Sequence, residues 1–401
     1  MMERFMSIMR IVAAFIMLLL AAATVSAGEY VTPGDGGIFT LSGLAPLSGG
    51  VLVPHDGAWI LEGRLVISTG DTLTITSETI LVKPTTPPDV SQTCIRIRGA
   101  LQADRLIMAS LELEDRHQWR NGIVVNGGAA VMTNSRFDCL RQGLWAFNGA
   151  SLTVDRSHFS DCCQAGLFVM GGSEALVSFS TFTRAHPQAQ DSRFQMLDST
   201  ITGTGLVLKG HTEEMRIVRC QITDVEDTGC FIQCAGDVRV EAGEIARCAH
   251  GMQVVENVTP LVIDTRFTAN RYGAVVVEDN ALPVFRRNVF MENSIPDESF
   301  PEASALPVFM ISTLAAPDLG NSEEPGGNVF QNNGPLAIYH AGTLDISAEG
   351  NLWGANHGNP GEIIYHEPDD DSDADESGFV SGRVIHDTAG GIPKGTFLMM
   401  K

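Results

Sequence analysis

A carboxylate beside two thiols at Asp161-Cys162-Cys163 and an imidazole between small residues at Ala249-His250-Gly251 are the places in this chain of 401 residues where acid–base chemistry is most easily written. Histidine exchanges a proton near neutrality. Paired with a carboxylate it would suit cleavage of a glycosidic bond, provided the two groups stand about 5 to 10 Å apart. A third segment, Asp369 to Glu376, reads DDDSDADE and sets Asp371, Asp373 and Asp375 at alternating positions. Hard calcium ions favour such oxygen clusters, but the glycine of a helix-loop-helix calcium site is missing from its place, so the run reads as a solvated loop. Calcium at this run is the one cofactor candidate; none is expected otherwise. Eight cysteines, at 94, 139, 162, 163, 220, 230, 234 and 248, follow no zinc-ligand spacing.

Whether these groups meet depends on the elements that carry them. One phrase, a polar turn, a glycine and an apolar run, recurs as RQGLWAF (Arg141 to Phe147), QAGLFVM (Gln164 to Met170), DTGCFI (Asp227 to Ile232), AHGMQVV (Ala249 to Val255) and NRYGAVVV (Asn270 to Val277). Its glycines fall at 122, 143, 166, 205, 229, 251 and 273, and the gap of 39 between 166 and 205 is the length of two short turns with one glycine missing. A second marker keeps the same beat at Phe137, Phe159, Phe182, Ile201, Ile222, Ile245, Phe267 and Phe290, then Phe330 after a gap of 40 and Trp353 after 23. Between the markers apolar residues alternate with period two, as at Leu152 and Val154 or Val238 and Val240, which is strand patterning. Short strands at a period near 22 mean that each repeat is one circuit of a parallel solenoid, whose apolar face is buried only by stacking. On such a stack the markers Phe159 and Ile245 are four coils, roughly 19 Å, apart, too far for Asp161 and His250 to act together. His250 therefore reads as a turn residue.

The chain resembles the right-handed parallel β-helix, or pectin-lyase-like, repeat proteins of bacterial surfaces. GDTLTITSETILVKP (Gly70 to Pro84), IRIRGALQAD (Ile95 to Asp104) and HQWRNGIVV (His117 to Val125) are similar to their first coils. GGNVFQNNG (Gly326 to Gly334), GNLWG (Gly350 to Gly354), NPG (Asn359 to Gly361) and GFVSGRVIH (Gly378 to His386) are similar to their closing segment. The resemblance implies an all-β, right-handed parallel β-helix with coils of roughly 22 residues. Its expected parts are a signal peptide over 1–27, an amino-terminal cap and first coils over 28–120, regular coils over 121–354 with an insertion near 294–327, and a closing coil and tail over 355–401. Relatives of this shape include lyases, hydrolases, epimerases, adhesins and spacers, so the resemblance speaks for architecture and leaves activity open.

Three columns follow from the register. Three residues after the marker stand Cys162, Cys248, Asn270, Asn293 and Asn333, an inward turn position where side-chain amides of Asn270, Asn293 and Asn333 would bond from coil to coil as a ladder. Three residues before it, Asp198 faces Arg219 and Asp264 faces Arg287 on adjacent coils, and one residue before it Glu244 faces Arg266. These read as solvated surface pairs. Two residues after the glycine come Val124, Trp145, Phe168, Val207, Phe231, Gln253 and Val275, which alternation turns outward. An outward strip with Trp145, Phe168 and Phe231 calls for a cover, either a lid such as the 294–327 insertion or a neighbouring subunit, or else serves as a stacking platform for sugar rings. Of the cysteines, only Cys139 with Cys162 or Cys163 lies on adjacent coils within disulfide reach; the others are expected as buried thiols.

Arg4 and Arg10 before the apolar run Ile11 to Ala23, with Val25-Ser26-Ala27 behind it, have the form of a secretory signal cleaved after Ala27. Export to the periplasm, cell surface or medium is expected, with no membrane span in the mature chain. A net charge of −22 argues against nucleic acid and anionic lipid as partners and leaves a polysaccharide or a surface protein. The expected function is a non-catalytic scaffold or carbohydrate-contacting module. Its rivals are a polysaccharide lyase or glycoside hydrolase and a subunit of an oligomeric adhesin.

Overall fold

The computed structural model describes residues 28–83, 94–111, 121–295, 306–312, 314–341, 344–354, 364–366 and 384–385. The chain winds as a solenoid of three strands per coil whose strands pair in parallel with their counterparts one coil earlier and one coil later, except at the amino-terminal end, where Leu52–His55 runs antiparallel to Ala58–Leu61. Face 1 holds strands such as Asn121–Asn126, Gln142–Phe147 and Ala165–Met170; face 2 holds Ala129–Thr133, Ser151–Asp155 and Glu174–Ser178; face 3 holds Arg136–Asp138, His158–Ser160 and Thr181–Thr183. Faces 1 and 2 join into a sheet of 23 described strands, and face 3 is a sheet of 14.

The markers line up without a slip. On face 3 Phe137, Phe159, Phe182, Ile201, Ile222, Ile245, Phe267, Phe290, Phe330 and Trp353 are successive register partners. The aromatic markers stack inside the core on either side of the three isoleucines, with the Phe159 and Phe182 rings 4.7 Å apart and nearly parallel, and Phe330 4.5 Å from Trp353. The long interval between glycines 166 and 205 holds a complete coil, Pro187–Gln190 on face 1, with His186 where the glycine would stand. The glycines have a steric cause. A Cβ on Gly229 would lie 2.7 Å from the carbonyl oxygen of Gly251 and 2.9 Å from the Cys248 sulfur, so the close approach of this edge to the next coil tolerates almost nothing larger.

Two corners of each coil are turned by single residues in the left-handed region. One corner carries Asn134, Arg156, Phe179, Asp198, Arg219, Ala242, Asp264 and Arg287, and the other Cys139, Asp161, Arg184, Asp224, Arg247, Ala269, Glu292 and Asn332, all with φ between 45° and 59°. Aspartate and arginine on adjacent coils clasp bidentately at both corners: Asp198 with Arg219 and Asp264 with Arg287 at the first, Asp161 with Arg184 and Asp224 with Arg247 at the second, all at 2.7 to 3.0 Å. Glu244 and Arg266 are register partners on face 3.

Polar groups inside the corners are tied into ladders. Asn270 donates through its backbone N–H and its amide to Oδ1 of Asn293, which donates in the same two ways to Oδ1 of Asn333. Cys248 feeds the head of this ladder through its backbone N–H. At the other corner, two residues before the marker, a second ladder begins with serines: the N–H groups of Ser135, Ser157 and Ser180 each donate to the hydroxyl of the next. It passes to asparagines further along, from Asn288 to Asn328 to Asn351.

The amino-terminal end is plugged by Leu41 and Leu44 of a short helix, Leu41–Leu44, capped by the Thr40 hydroxyl. Beside it the buried carboxylate of Asp71 accepts the backbone N–H groups of Gly34, Gly36 and Gly37 at 2.8 to 3.0 Å.

Three expectations need correction. In the coil of NRYGAVVV the register places Ala274, not Gly273, opposite Gly251, so Val275 points into the core and Val276 takes the outward position. No disulfide joins any two of the eight cysteines, all of which are described. Cys139 is the left-handed corner residue in line with Asp161, whereas Cys162 lies one position on, 3 % exposed and in line with Leu140, so their side chains diverge. Finally, the described part of the insertion is a rung of the stack: Pro307–Ile311 pairs on face 1 with Gly273–Val277 and Leu336–His340. Seven coils, about 34 Å, separate it from Trp145, so it covers nothing there. Residues 296–305 of the insertion, the amino-terminal signal and the acidic run from 369 to 376 lie outside the described residues.

Candidate functional site

The strands of face 1 are long enough to present two or three outward side chains each. Register carries one outward column through Val124, Trp145, Phe168, Gln188, Val207, Phe231, Gln253 and Val276. Trp145 and Phe168 are brought together, their rings 6.2 Å apart and within 8° of parallel, with Phe147 5.0 Å from the indole. Phe231 is not part of that stack; Gln188 and Val207 intervene, so it stands about 14 Å further along the axis from Phe168. The indole N–H of Trp145 is buried without a hydrogen-bond partner among the described residues.

Around Phe231 the face is concave. A groove of about 470 Å³ is floored by Val207, Phe231 and Gln253 and walled at the corner by Thr204 and Asp227, with His186 and Lys209 lining it. The Lys209 ammonium lies 5.2 Å from the centre of the Phe231 ring, a cation held over an aromatic face. The amide nitrogen of Gln253 donates to Glu278 at 2.7 Å and that of Gln233 donates to Glu256, which leaves the amide oxygens as acceptors. The Thr204 hydroxyl has no partner among the described residues. Burial lowers the pKa of His186 below its ordinary value despite a bond to the Gln188 side chain that pulls the other way, so the imidazole is neutral near neutral pH.

His250 sits at the edge of face 1, 5.7 Å from the Tyr272 ring, and burial lowers its pKa against the pull of Asp227 and Glu278. Asp161 is engaged with Arg184. The register confirms four coil steps between their markers. Among the described residues no group of three or more His, Cys, Asp or Glu is placed to hold a metal ion.

A family model for the right-handed β-helix region matches residues 121–304. The chain is a right-handed parallel β-helix. No curated protein matches the sequence. Among solved structures, this β-helix superposes on a mutant of the periplasmic alginate epimerase AlgG with a TM-score of 0.58 at 12 % identity, over 87 % of this chain and 82 % of that one. A double mutant of the same epimerase gives 0.55 at 11 %, over 89 % and 84 %. The A-module of the mannuronan C-5 epimerase AlgE4 from Azotobacter vinelandii gives 0.47 at 11 %, over 71 % and 86 %.

Sequence reasoning missed His186, Gln188, Lys209 and Thr204 in this β-helix. The first two lie in the coil without a marker glycine, so no column count reached them. A cue for Lys209 existed: it stands two residues beyond Val207 and so shares its outward side, in line with Gln190 and Gln233.

Proposed function

We propose that the protein is an exported glycan-binding β-helix whose contact surface is face 1, from the Trp145–Phe168 stack to the groove around Phe231. The observation that carries this reading is the groove itself. A half-buried aromatic ring, the amide oxygen of Gln253, the His186 imidazole and the Lys209 ammonium share one cavity of about 470 Å³, the mixture of flat apolar surface and hydrogen-bonding groups that a sugar ring satisfies. The form of residues 1–27 supports export, and the fold-level likeness to a periplasmic epimerase named for a polysaccharide supports the carbohydrate class. No described helix is long and apolar enough to cross a membrane.

A second reading, a polysaccharide-modifying enzyme, has one specific support: neutral His186, able to accept a proton, lines the same groove as the cation of Lys209. One experiment separates the two. The mature chain is incubated with acidic and neutral polysaccharides, with and without calcium, and both retention on the polymer and release of unsaturated or reducing ends are followed. Retention without release, weakened about tenfold or more by Phe231→Ala and by Trp145→Ala, is the expected result, the size being that of a lost stacking contact. Release abolished by His186→Ala would establish the enzyme; neither signal would leave a scaffold for another protein.

A further inference from the structure

The groove does not end at Lys209. A second cavity of about 460 Å³, lined by Lys209, His211, Gln233, Glu256 and Asn257, lies on the same coils but further along the strands. The two meet at Lys209 and follow one another in the strand direction. The backbone explains why the way is open. Earlier coils turn from face 1 to face 2 at Asn148-Gly149 and Gly171-Gly172, and the two flanking coils at Asp191 and Glu256. Leu206–Val218 and Thr228–Glu241, strands of 13 and 14 residues, stay paired with each other through this corner, which they turn at Gly210 (φ 82°) and Gly236 (φ 130°) with a register shift between His211 and Glu214. From Thr204 to Lys209 the path follows about 17 Å of extended chain, then bends at Gly210 towards His211.

The charges along the path do not suit a polyanion. Glu226 and Asp227 line one end and Glu256 the other, against the single cation of Lys209, which is drawn over the Phe231 ring. The chain as a whole carries −22, and such a field repels polyanions at a distance. Beside His211 and the Glu256 carboxylate, which can accept a sugar hydroxyl, the groups that remain for recognition are uncharged: the oxygens of Gln233 and Gln253 and the Phe231 ring.

Resting on the glycan-binding reading, we infer that this path takes an uncharged polysaccharide, laid along the strands and across the coil stack, and grips an internal segment with both chain ends outside. The test is calorimetric titration with neutral gluco-oligosaccharides from disaccharide to octasaccharide, reducing ends free or capped, beside oligomannuronates of matched length at low salt. Affinity for the neutral series rises with length, levels off once the path is filled, and is unchanged by capping. Matched oligomannuronates bind about tenfold or more weakly. His211→Ala and Glu256→Gln, both at exposed side chains, weaken the long oligomers about tenfold and leave the disaccharide within about twofold. Preference for the acidic series, loss of binding on capping, or retention that Phe231→Ala removes but length, His211 and Glu256 do not affect would overturn the inference and leave glycan binding standing. If no oligosaccharide and no polysaccharide is retained, it is the glycan-binding reading that fails.

Discussion

At the scale of single residues, the asparagine ladder shows how a narrow solenoid satisfies polar atoms it cannot expose. Asn293 accepts both the N–H and the amide of Asn270 and donates to the carbonyl of Phe267 and to Asn333, with no solvent contact. Replacing it with leucine leaves the backbone N–H of Asn270 buried without its partner and removes one of the two bonds of the Asn270 amide, a loss of about 1 to 3 kcal/mol. Asn293→Leu should therefore lower the denaturant midpoint markedly, and a variant as stable as the parent would show that the ladder contributes nothing. The amides at 270, 293 and 333 were visible in the sequence because the marker fixes their column. The serine ladder was equally available, with a serine two residues before the marker in four consecutive coils, but serine is common enough in turns that the repeat passes unnoticed without the bonds. The clasps of Asp161 with Arg184 and Asp224 with Arg247 escaped for another reason: they sit two residues after the marker, a position that the inward ladder beside it obscures.

At the scale of the strand, the recurring phrase is a packing device with no chemistry of its own. Its glycine lets the leading edge of each face-1 strand approach the carbonyl of the next coil. Gly229→Ala places a methyl 2.7 Å from that oxygen and 2.9 Å from Cys248 and Ile245, and overpacking of this kind costs about 1 to 3 kcal/mol. The expected outcome is a lower melting temperature with an unchanged far-ultraviolet spectrum; a variant that melts with the parent would show that the edge relaxes freely. Strand order and register were legible from spacing alone, since two independent markers had to agree. The slip at Ala274 was not, because four small or β-branched residues in Gly273 to Val276 offer no side-chain difference by which to choose between registers. The groove was invisible for a similar reason. It depends on two strands staying paired through a corner, and neither KGHTEE (Lys209 to Glu214) nor QCAGD (Gln233 to Asp237) announces in its residue types that it will do so.

At the scale of the whole molecule, pH acts from both sides. Burial raises the Asp71 carboxyl, but bonds from Thr32 and from the N–H groups of Gly34, Gly37 and Gly36 outweigh it and hold the native pKa below the ordinary value. Its stabilisation is full above the ordinary carboxylate range and is lost as pH falls through the lowered native value. Burial likewise lowers His186 and His250, so their contribution is lost earlier, as pH falls below the ordinary imidazole range. Thiols act in the opposite sense. Burial pushes Cys162 and Cys234 up to about 12 and Cys220 and Cys248 up to about 11, so stability present below the ordinary thiol pKa of about 8.5 is lost as pH rises beyond it. Denaturant midpoints should form a plateau from near neutrality to about pH 8.5 and fall on either side. Asp71→Asn should be less stable throughout and lose part of the acid slope; an acid limb of unchanged steepness would remove Asp71 from the account.

The aspartate–arginine clasps are not evenly spread along the stack. They cross the joints between the coils of Phe159 and Phe182, Ile201 and Ile222, Ile222 and Ile245, and Phe267 and Phe290. Between the coils of Phe182 and Ile201 the corner positions hold Phe179 with Asp198 and Arg184 with Gly203. Between those of Ile245 and Phe267 they hold Ala242 with Asp264 and Arg247 with Ala269, and neither joint carries a clasp at either corner. Each coil is bound only to its neighbours, so tension along the axis passes through every joint in series. The clasped joints are riveted at their rims, whereas these two, like the joints between the coils of Phe137 and Phe159 and of Phe290 and Phe330, hold by the sheets, the core and the inward ladders alone, so a pulled molecule parts first at a bare joint, dividing into blocks of whole coils. The three coils between the Phe182–Ile201 and Ile245–Phe267 joints, carrying Ile201, Ile222 and Ile245, are the ones on whose strands Val207, Phe231 and Gln253 floor the groove, so the block that holds together longest under load is the one with the groove's floor.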